Sequence, residues 1–498
     1  MGDMTLRYIA FANALLVFAL PLPSLAQSVP EKSRPIPSAV SAKIATILAR
    51  PGLKNASVGV FARSLRSGKV TFERNADLSL VPASNQKILT ATTALRTLGS
   101  AYQYRTAVCT VVAPDAEGTL RGDLFLRGSG DPSLTTARLD ALAGSLAKTG
   151  IKRVIGRIVG DGTAFDNQML GSGWQWDDES YYYSPQVSGL NCDGNVVAIS
   201  VRPGARIAEP ATVLINGRPV GEETYITVEN RVQTVLNQKE SVAKIAFERV
   251  RGMNRIIISG TIPVGAKEES EAITIEDPSR FSASRFVLAL VKAGIAVETP
   301  LWIEAGATPN TAREVAASES KPLSELIKDF LKPSDNLYGE ALLKTVGRGE
   351  ARSGSGTISE GGKRIGRLLE AAKIDRGGLH VSDGSGLSVQ NTVTPRLLCD
   401  LLIYVDAQFA PAERDAFTNG LPVGGIDGTL RGRFKNTPLA GNVRAKTGTL
   451  FGASSLSGYV TAKGGERFAF SILMNHAATA ADARQAQDAI VAALYDGR

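Results

Sequence analysis

Between about residue 100 and residue 277 the chain changes texture, and no other feature restricts its folding so strongly. Before that stretch, residues 84–98 keep apolar side chains at helical spacing (Ile88, Ala91, Leu95, Leu98) until Gly99 ends the run. Inside it, a strand over 120–126, a helix over 134–148 closed by Gly150 and a strand over 154–159 come first. Beyond Asn195 follow short alternating runs through 256–262, with Asn216-Gly217 as a hairpin signal. Helical spacing returns at 283–292 and 323–331, while residues 39–50 read as a helix and 57–72 as two strands around Ser67-Gly68. No repeat of fixed period is present. A body of helices and strands is thus interrupted by a β-rich insertion, and whatever lies on its two sides must meet across it.

The first 26 residues read as an address. Arg7 precedes an apolar run over 8–20, Pro21 and Pro23 break it, and Ser24-Leu25-Ala26 supplies small residues at −3 and −1 of a cleavage point. The run is short of the ~20 apolar residues that span a bilayer, which leaves an uncleaved anchor as the lesser alternative. No later segment is a spanning candidate, since the apolar spacing of Ile490, Val491 and Leu494 suits a core better than lipid. The mature chain is expected outside the cytoplasm, periplasmic or extracytoplasmic, with no stable membrane span.

Composition narrows the chemistry. Of 498 residues 43% are apolar and 21% charged, ordinary for a globular chain with a sizeable core. Lys and Arg exceed Asp and Glu by 56 to 48, but the excess is spread without a basic block, so no nucleic-acid partner is expected. Three cysteines (Cys109, Cys192, Cys399) allow at most one disulfide. Two histidines (His380, His476) leave little for a zinc site or a histidine relay, so neither metal nor cofactor is expected.

A serine and a lysine three apart on a helix share a face, and there an amine can act as base for the hydroxyl without histidine. The amine must be neutral, which needs burial or a second cation nearby. Four S-x-x-K tetrads occur, and K-T-G occurs twice, so neither motif means much alone. Ser84/Lys87 opens a strongly apolar helix. Ser145 lies mid-helix, and Lys148-Thr149-Gly150 is that helix's end. Ser241/Lys244 leads into a strand, where positions three apart face opposite sides. Ser318/Lys321 lies in a polar linker before Pro322. The second K-T-G, Lys446-Thr447-Gly448, sits in a strand that offers an ammonium, a hydroxyl and an open backbone edge to an extended peptide. Its glycine clears space where a ligand passes close. Between them stands Ser334-Asp335-Asn336, after Pro333 and before a helical run over 337–345.

This ordered set, S-x-x-K, S-x-N, K-T-G, occurs in class A β-lactamases and penicillin-binding proteins. The chain resembles the low-molecular-mass class C penicillin-binding proteins, the D-alanyl-D-alanine carboxypeptidase/endopeptidase family, over nearly all its mature length. Pro82 to Lys87 resembles the nucleophile segment, Arg127 to Pro132 the signature of the inserted region, and Asp383 to Ser388 and Ala445 to Leu450 also match. The 334 − 84 = 250 residues between Ser84 and Ser334 agree with that family's insertion of two extra domains. The resemblance implies an α+β fold: a transpeptidase-like domain (27–99 and 278–498), an antiparallel sheet flanked by helices, interrupted by a β-rich region (100–277).

It also implies acyl transfer through a serine ester. Ser84 would attack the carbonyl between two D-alanines of a peptidoglycan stem peptide, with Lys87 taking its proton. Ser334 would relay a proton to the leaving amine, Asn336 would hold Lys87 and the substrate amide, and Lys446 would keep Lys87 neutral by its positive potential. Thr447 and Thr449, flanking Gly448, would bind the terminal carboxylate, and the Ser84 and Thr449 N–H groups would form the oxyanion hole. β-Lactams would acylate Ser84 and leave slowly. In the run Gly173 to Pro185, Asp178 would meet the amino end of a diaminopimelate side chain, the alternative being an aromatic packing cluster. Three rivals stay open: a β-lactamase, a non-catalytic wall-binding protein, and, more weakly, a hydrolase centred on Ser385 with His380. Carboxypeptidase or endopeptidase preference and oligomeric state are not readable from the sequence.

Overall fold

The computed structural model describes residues 39–221, 225–237, 242–298, 302–349 and 354–497. The signal segment and Ser241 lie outside the described residues. Among the described residues, no helix is long and apolar enough to cross a membrane.

Strands from opposite ends of the chain build one antiparallel sheet, ordered Val443–Leu450, Ala453–Thr461, Arg467–Asn475, Ser57–Ser64 and Val70–Arg74. Its central join registers Ser57 with Asn475 and Ser64 with Phe468. Successive side chains of a strand point to opposite faces, and here each face has its own helical layer. Val60, Phe470 and Ile472 pack with Ile44, Ile490 and Leu494 of the helices Ala39–Leu48 and Ala480–Asp496. Phe61, Ala469 and Leu473 pack instead with Leu89, Phe330 and Leu398, from the helices Gln86–Leu98, Leu323–Leu331 and Pro395–Gln408. Burial on both sides is why residues 468–474 are apolar at every position but Ser471 rather than alternating.

Between these two parts lies a mixed five-stranded sheet, ordered Ile303–Ala305, Ile158–Asp161, Leu124–Arg127, Arg105–Thr110 and Arg313–Glu319. The helices Thr136–Ala147 and Pro278–Lys292 pack against it. Residues 196–274 add two further small sheets, one of them with the Thr212–Ile215 and Arg218–Pro219 hairpin, closed at Asn216-Gly217 with both residues at positive φ. One apolar cluster runs through the whole stretch, from Leu126 and Leu139 to Ile199, Ile258 and Phe286. The helix at 278–292 packs into this cluster and the strand at 313–319 pairs with Arg105–Thr110, although both lie beyond residue 277.

Candidate active site

Ser84 sits in a single 3₁₀ turn, Ala83–Asn85, that runs straight into the helix Gln86–Leu98. One turn along, the Lys87 side chain is wholly buried and points back at the serine. Its Nζ lies 3.2 Å from Ser84 Oγ, 2.6 Å from Asn336 Oδ1 and 2.7 Å from the Ser385 carbonyl. Asn336 begins the helix Asn336–Arg348, capped by Asp335, whose carboxylate accepts the Tyr338 N–H. The Asn336 amide then donates to the Tyr183 carbonyl at 2.6 Å. On the edge strand, Lys446 Nζ lies 2.8 Å from Ser334 Oγ and 2.9 Å from the Thr447 carbonyl. Three distant stretches of chain thus converge on one point.

Backbone packing sets the nucleophile against the strand. A Cβ on Gly448 would fall 2.2 Å from Ser455 Oγ and 2.9 Å from Ser84 N, so only glycine lets Val443–Leu450 pass so close. Ser455 Oγ donates to the Pro82 carbonyl at 2.6 Å, and Asn85 Nδ2 to the Lys446 carbonyl at 2.9 Å. Ala83 and Ser334 carry φ of +47° and +69°, left-handed values that cost a non-glycine residue about 1–3 kcal/mol. Both strained residues adjoin or belong to the reacting set.

A cavity of about 550 Å³ opens over Ser84 and is lined also by Asp178, Tyr183, Ser334, Asn336 and Thr449. Asp178 accepts the Tyr183 hydroxyl at 2.7 Å. Thr447 Oγ1 lies 2.7 Å from Thr429 Oγ1. Phe451, fully exposed at the tip of the hairpin, stands at the cavity mouth.

Burial drives the electrostatics. It lowers Lys87 to about 8, against the pull of Asp383, Asp335 and Glu340, whose charges favour the ammonium. Lys446 is lowered well below its ordinary value, by burial first and then by the Lys87 charge. Carboxylates from 335, 340 and 383 gather around Lys87.

The D-Ala-D-Ala carboxypeptidase 3 (S13) family model matches residues 40–496. The chain belongs to this family. It is a serine-type D-Ala-D-Ala carboxypeptidase and a penicillin-binding protein. It is 35% identical to the D-alanyl-D-alanine carboxypeptidase of Actinomadura sp. strain R39, over 83% of this chain and 76% of that one. It is 27% identical to the D-alanyl-D-alanine carboxypeptidase DacB of Haemophilus influenzae, over 80% and 81% of the two chains. The crystal structure of penicillin binding protein 4 from Haemophilus influenzae superposes with a TM-score of 0.78 at 25% identity, covering 91% of this chain and 98% of that one. The fold is thus the α+β, transpeptidase-like one the motifs implied.

Of the residues singled out in the sequence, Ser84, Lys87, Ser334, Asn336 and Lys446 are joined by direct hydrogen bonds, in two groups. Gly448, Thr449 and Asp178 border them. Ser145, Ser318 and the Lys148-Thr149-Gly150 helix end take no part: Ser145 Oγ bonds the Ala141 carbonyl, and Ser318 Oγ accepts from Arg138. The turn at 383–388 packs under the site in this S13 carboxypeptidase and offers Lys87 a carbonyl, not a nucleophile. Two partners escaped the sequence, the carbonyls of Tyr183 and Ser385, because a backbone oxygen leaves no mark in residue identity. The three cysteines are buried and unpaired.

Proposed function

We propose that the chain hydrolyses the D-Ala-D-Ala termini of peptidoglycan stem peptides through an acyl ester on Ser84. The observation that carries this is the Lys87 amine, buried and within 3.2 Å of Ser84 Oγ, beneath a cavity of about 550 Å³. Lys87 takes the Ser84 proton as the oxygen attacks the carbonyl. The tetrahedral oxyanion forms in reach of the Ser84 and Thr449 N–H groups, a term worth about 3 kcal/mol per donor. Ser334, bonded to Lys446, passes a proton to the departing D-alanine amine, and water then releases the acyl group. Thr447 and Thr449 hold the terminal carboxylate. Cross-link cleavage needs the same acylation with a longer leaving group, so endopeptidase activity belongs to the same proposal. Asp178 receives the cationic end of the stem-peptide side chain. The chain works outside the cytoplasm, on the strength of its N-terminal pattern and its wall substrate. Its insertion spans about residues 100–319, with the peptidase domain on either side.

Fluorescent penicillin labelling followed by peptide mapping tests this. Label is expected on Ser84 and lost in Ser84→Ala, and label on another serine overturns the assignment. Nitrocefin is expected to give one acylation per site, whereas steady turnover would mean a β-lactamase.

A further inference from the structure

Two buried carboxylates lie behind Lys87, and the reaction outlined for Ser84 uses neither. Asp383 is saturated, accepting from Gly386 N at 2.7 Å, Ser388 N at 2.6 Å, Asn391 Nδ2 at 2.7 Å and Trp174 Nε1 at 2.9 Å. Glu340 is different. It lies four residues after Asn336 on the same helix, so both project to one face, and it is 1% exposed. Its carboxylate accepts the Ser385 N–H at 2.9 Å and the Gly384 N–H at 3.0 and 3.1 Å. Thr90 Oγ1, from the Lys87 helix, donates to the Gly384 carbonyl at 2.7 Å. A Cβ on Gly384 would fall 2.1 Å from the Gly339 carbonyl oxygen, so this backbone is pressed against the Asn336 helix. Ser385 is therefore gripped at its N–H by Glu340, while its own carbonyl meets Lys87 Nζ at 2.7 Å.

That carbonyl has a directional consequence. A neutral amine carries two N–H donors and one lone pair. Asn336 Oδ1 and the Ser385 carbonyl take the two donors, at 2.6 and 2.7 Å, and the remaining direction faces Ser84 Oγ at 3.2 Å. The lone pair is aimed at the serine proton only while both acceptors stay in place. A lysine on a flexible four-carbon stem has no other means of keeping that orientation.

We propose that Glu340 is a positioning residue for the base, holding the Gly384–Ser385 backbone so that the Ser385 carbonyl orients the Lys87 amine toward Ser84. The proposal rests on Lys87 being that base. Asp383, Asp335 and Glu340 all face Lys87, Lys446 senses it from the strand, and Asp383 also faces Glu340. Burial and Asp383 push the Glu340 carboxyl up, while the Gly384 and Ser385 N–H groups favour its charged form.

The test is the penicillin acylation rate against pH for the full chain and for Glu340→Gln and Glu340→Ala, with Tm and the non-covalent dissociation constant measured beside it. A glutamine carbonyl can still accept both N–H groups, so Glu340→Gln is expected within about fivefold of wild type. Any movement of its acid limb is toward lower pH, because Glu340 supports the Lys87 ammonium only while charged and its own carboxyl is pushed up to about 8. Glu340→Ala is expected to acylate at least about tenfold more slowly with its dissociation constant little changed. Wild-type acylation by Glu340→Ala overturns the proposal; if the alanine variant does not fold, Glu340→Gln acylating more than about tenfold below wild type with its Tm unchanged overturns it instead, because the site then needs the charge and not the grip. Lys87→Met separates the two layers: if it still acylates, the base assignment itself fails, whereas a dead Lys87→Met beside a fully active Glu340→Ala removes only the role of Glu340.

Discussion

Lys87 and Lys446 are chemically identical and equally buried, yet carboxylates gather around only the first. Those at 335, 340 and 383 support the charge of Lys87 and leave it at about 8, while burial and the Lys87 charge hold Lys446 well below its ordinary value. A base must be deprotonated, so kcat/KM is expected to rise as pH climbs through about 8. A substrate carboxylate held at Thr447 and Thr449 would favour the charged form of Lys446, and that charge would lower Lys87 in turn. The acid limb of kcat should then lie at lower pH than that of kcat/KM, and a pH series on a D-Ala-D-Ala peptide checks it; a kcat limb at higher pH counts against the coupling. Asp178 gives a second expectation at this scale. Asp178→Asn should lose activity on peptides with a free diaminopimelate amine more than on simple D-Ala-D-Ala substrates, and equal losses on both would reject the contact.

At the scale of elements, the 174–183 segment owes its place to the insertion. The Thr274 hydroxyl donates to the Glu179 carbonyl, Thr274 N to the Ser180 carbonyl at 3.1 Å, and Arg249 N to Ser180 Oγ at 3.1 Å. The Arg249 guanidinium, with its side chain 2% exposed, also reaches the Glu179 carbonyl at 3.3 Å and pairs with Glu276 at 2.7 Å. A few residues on, the Tyr183 carbonyl accepts from Asn336. Loss of one such clamp should reach the site without touching it. Thr274→Val removes two hydrogen bonds, the one donated to the Glu179 carbonyl and the one accepted from the Arg249 guanidinium at 3.1 Å, together about 2–4 kcal/mol, from a segment that lines the cavity. Acylation by penicillin is expected to slow by a few-fold, with the Tm lowered as well. An unchanged acylation rate would mean that the segment is held without the insertion.

For the whole molecule, the sheet is closed by the pairing of Ser57–Ser64 with Arg467–Asn475, so nucleophile helix and Lys446 strand are positioned only once both ends of the chain have folded together. Ile472 is fully buried on this central strand. Ile472→Ala should cost about 2–5 kcal/mol, read as a fall in the denaturant midpoint, while the folded fraction still binds penicillin at Ser84. A core substitution that removed labelling without loss of stability would show that the sheet does more than support.

The three motifs, the helix under Ser84, the strand carrying Lys446 and the β-rich interruption are legible in the sequence, because periodicity and residue chemistry are local properties. Ser84 was separable from three other serines of the same spacing for that reason: Ser145 reads as mid-helix with its lysine at the helix end, and Ser241 and Ser318 read as lying outside helices. The packing of the 278–292 helix with the cluster around Leu126 and Ile199 was not legible, since apolar spacing does not say which core it will enter. The carboxylates around Lys87, the carbonyls of Tyr183 and Ser385, and the grip of Glu340 on residue 385 were likewise hidden. They depend on which backbone oxygens and carboxylates arrive at one point from positions hundreds of residues apart, and only tertiary packing decides that.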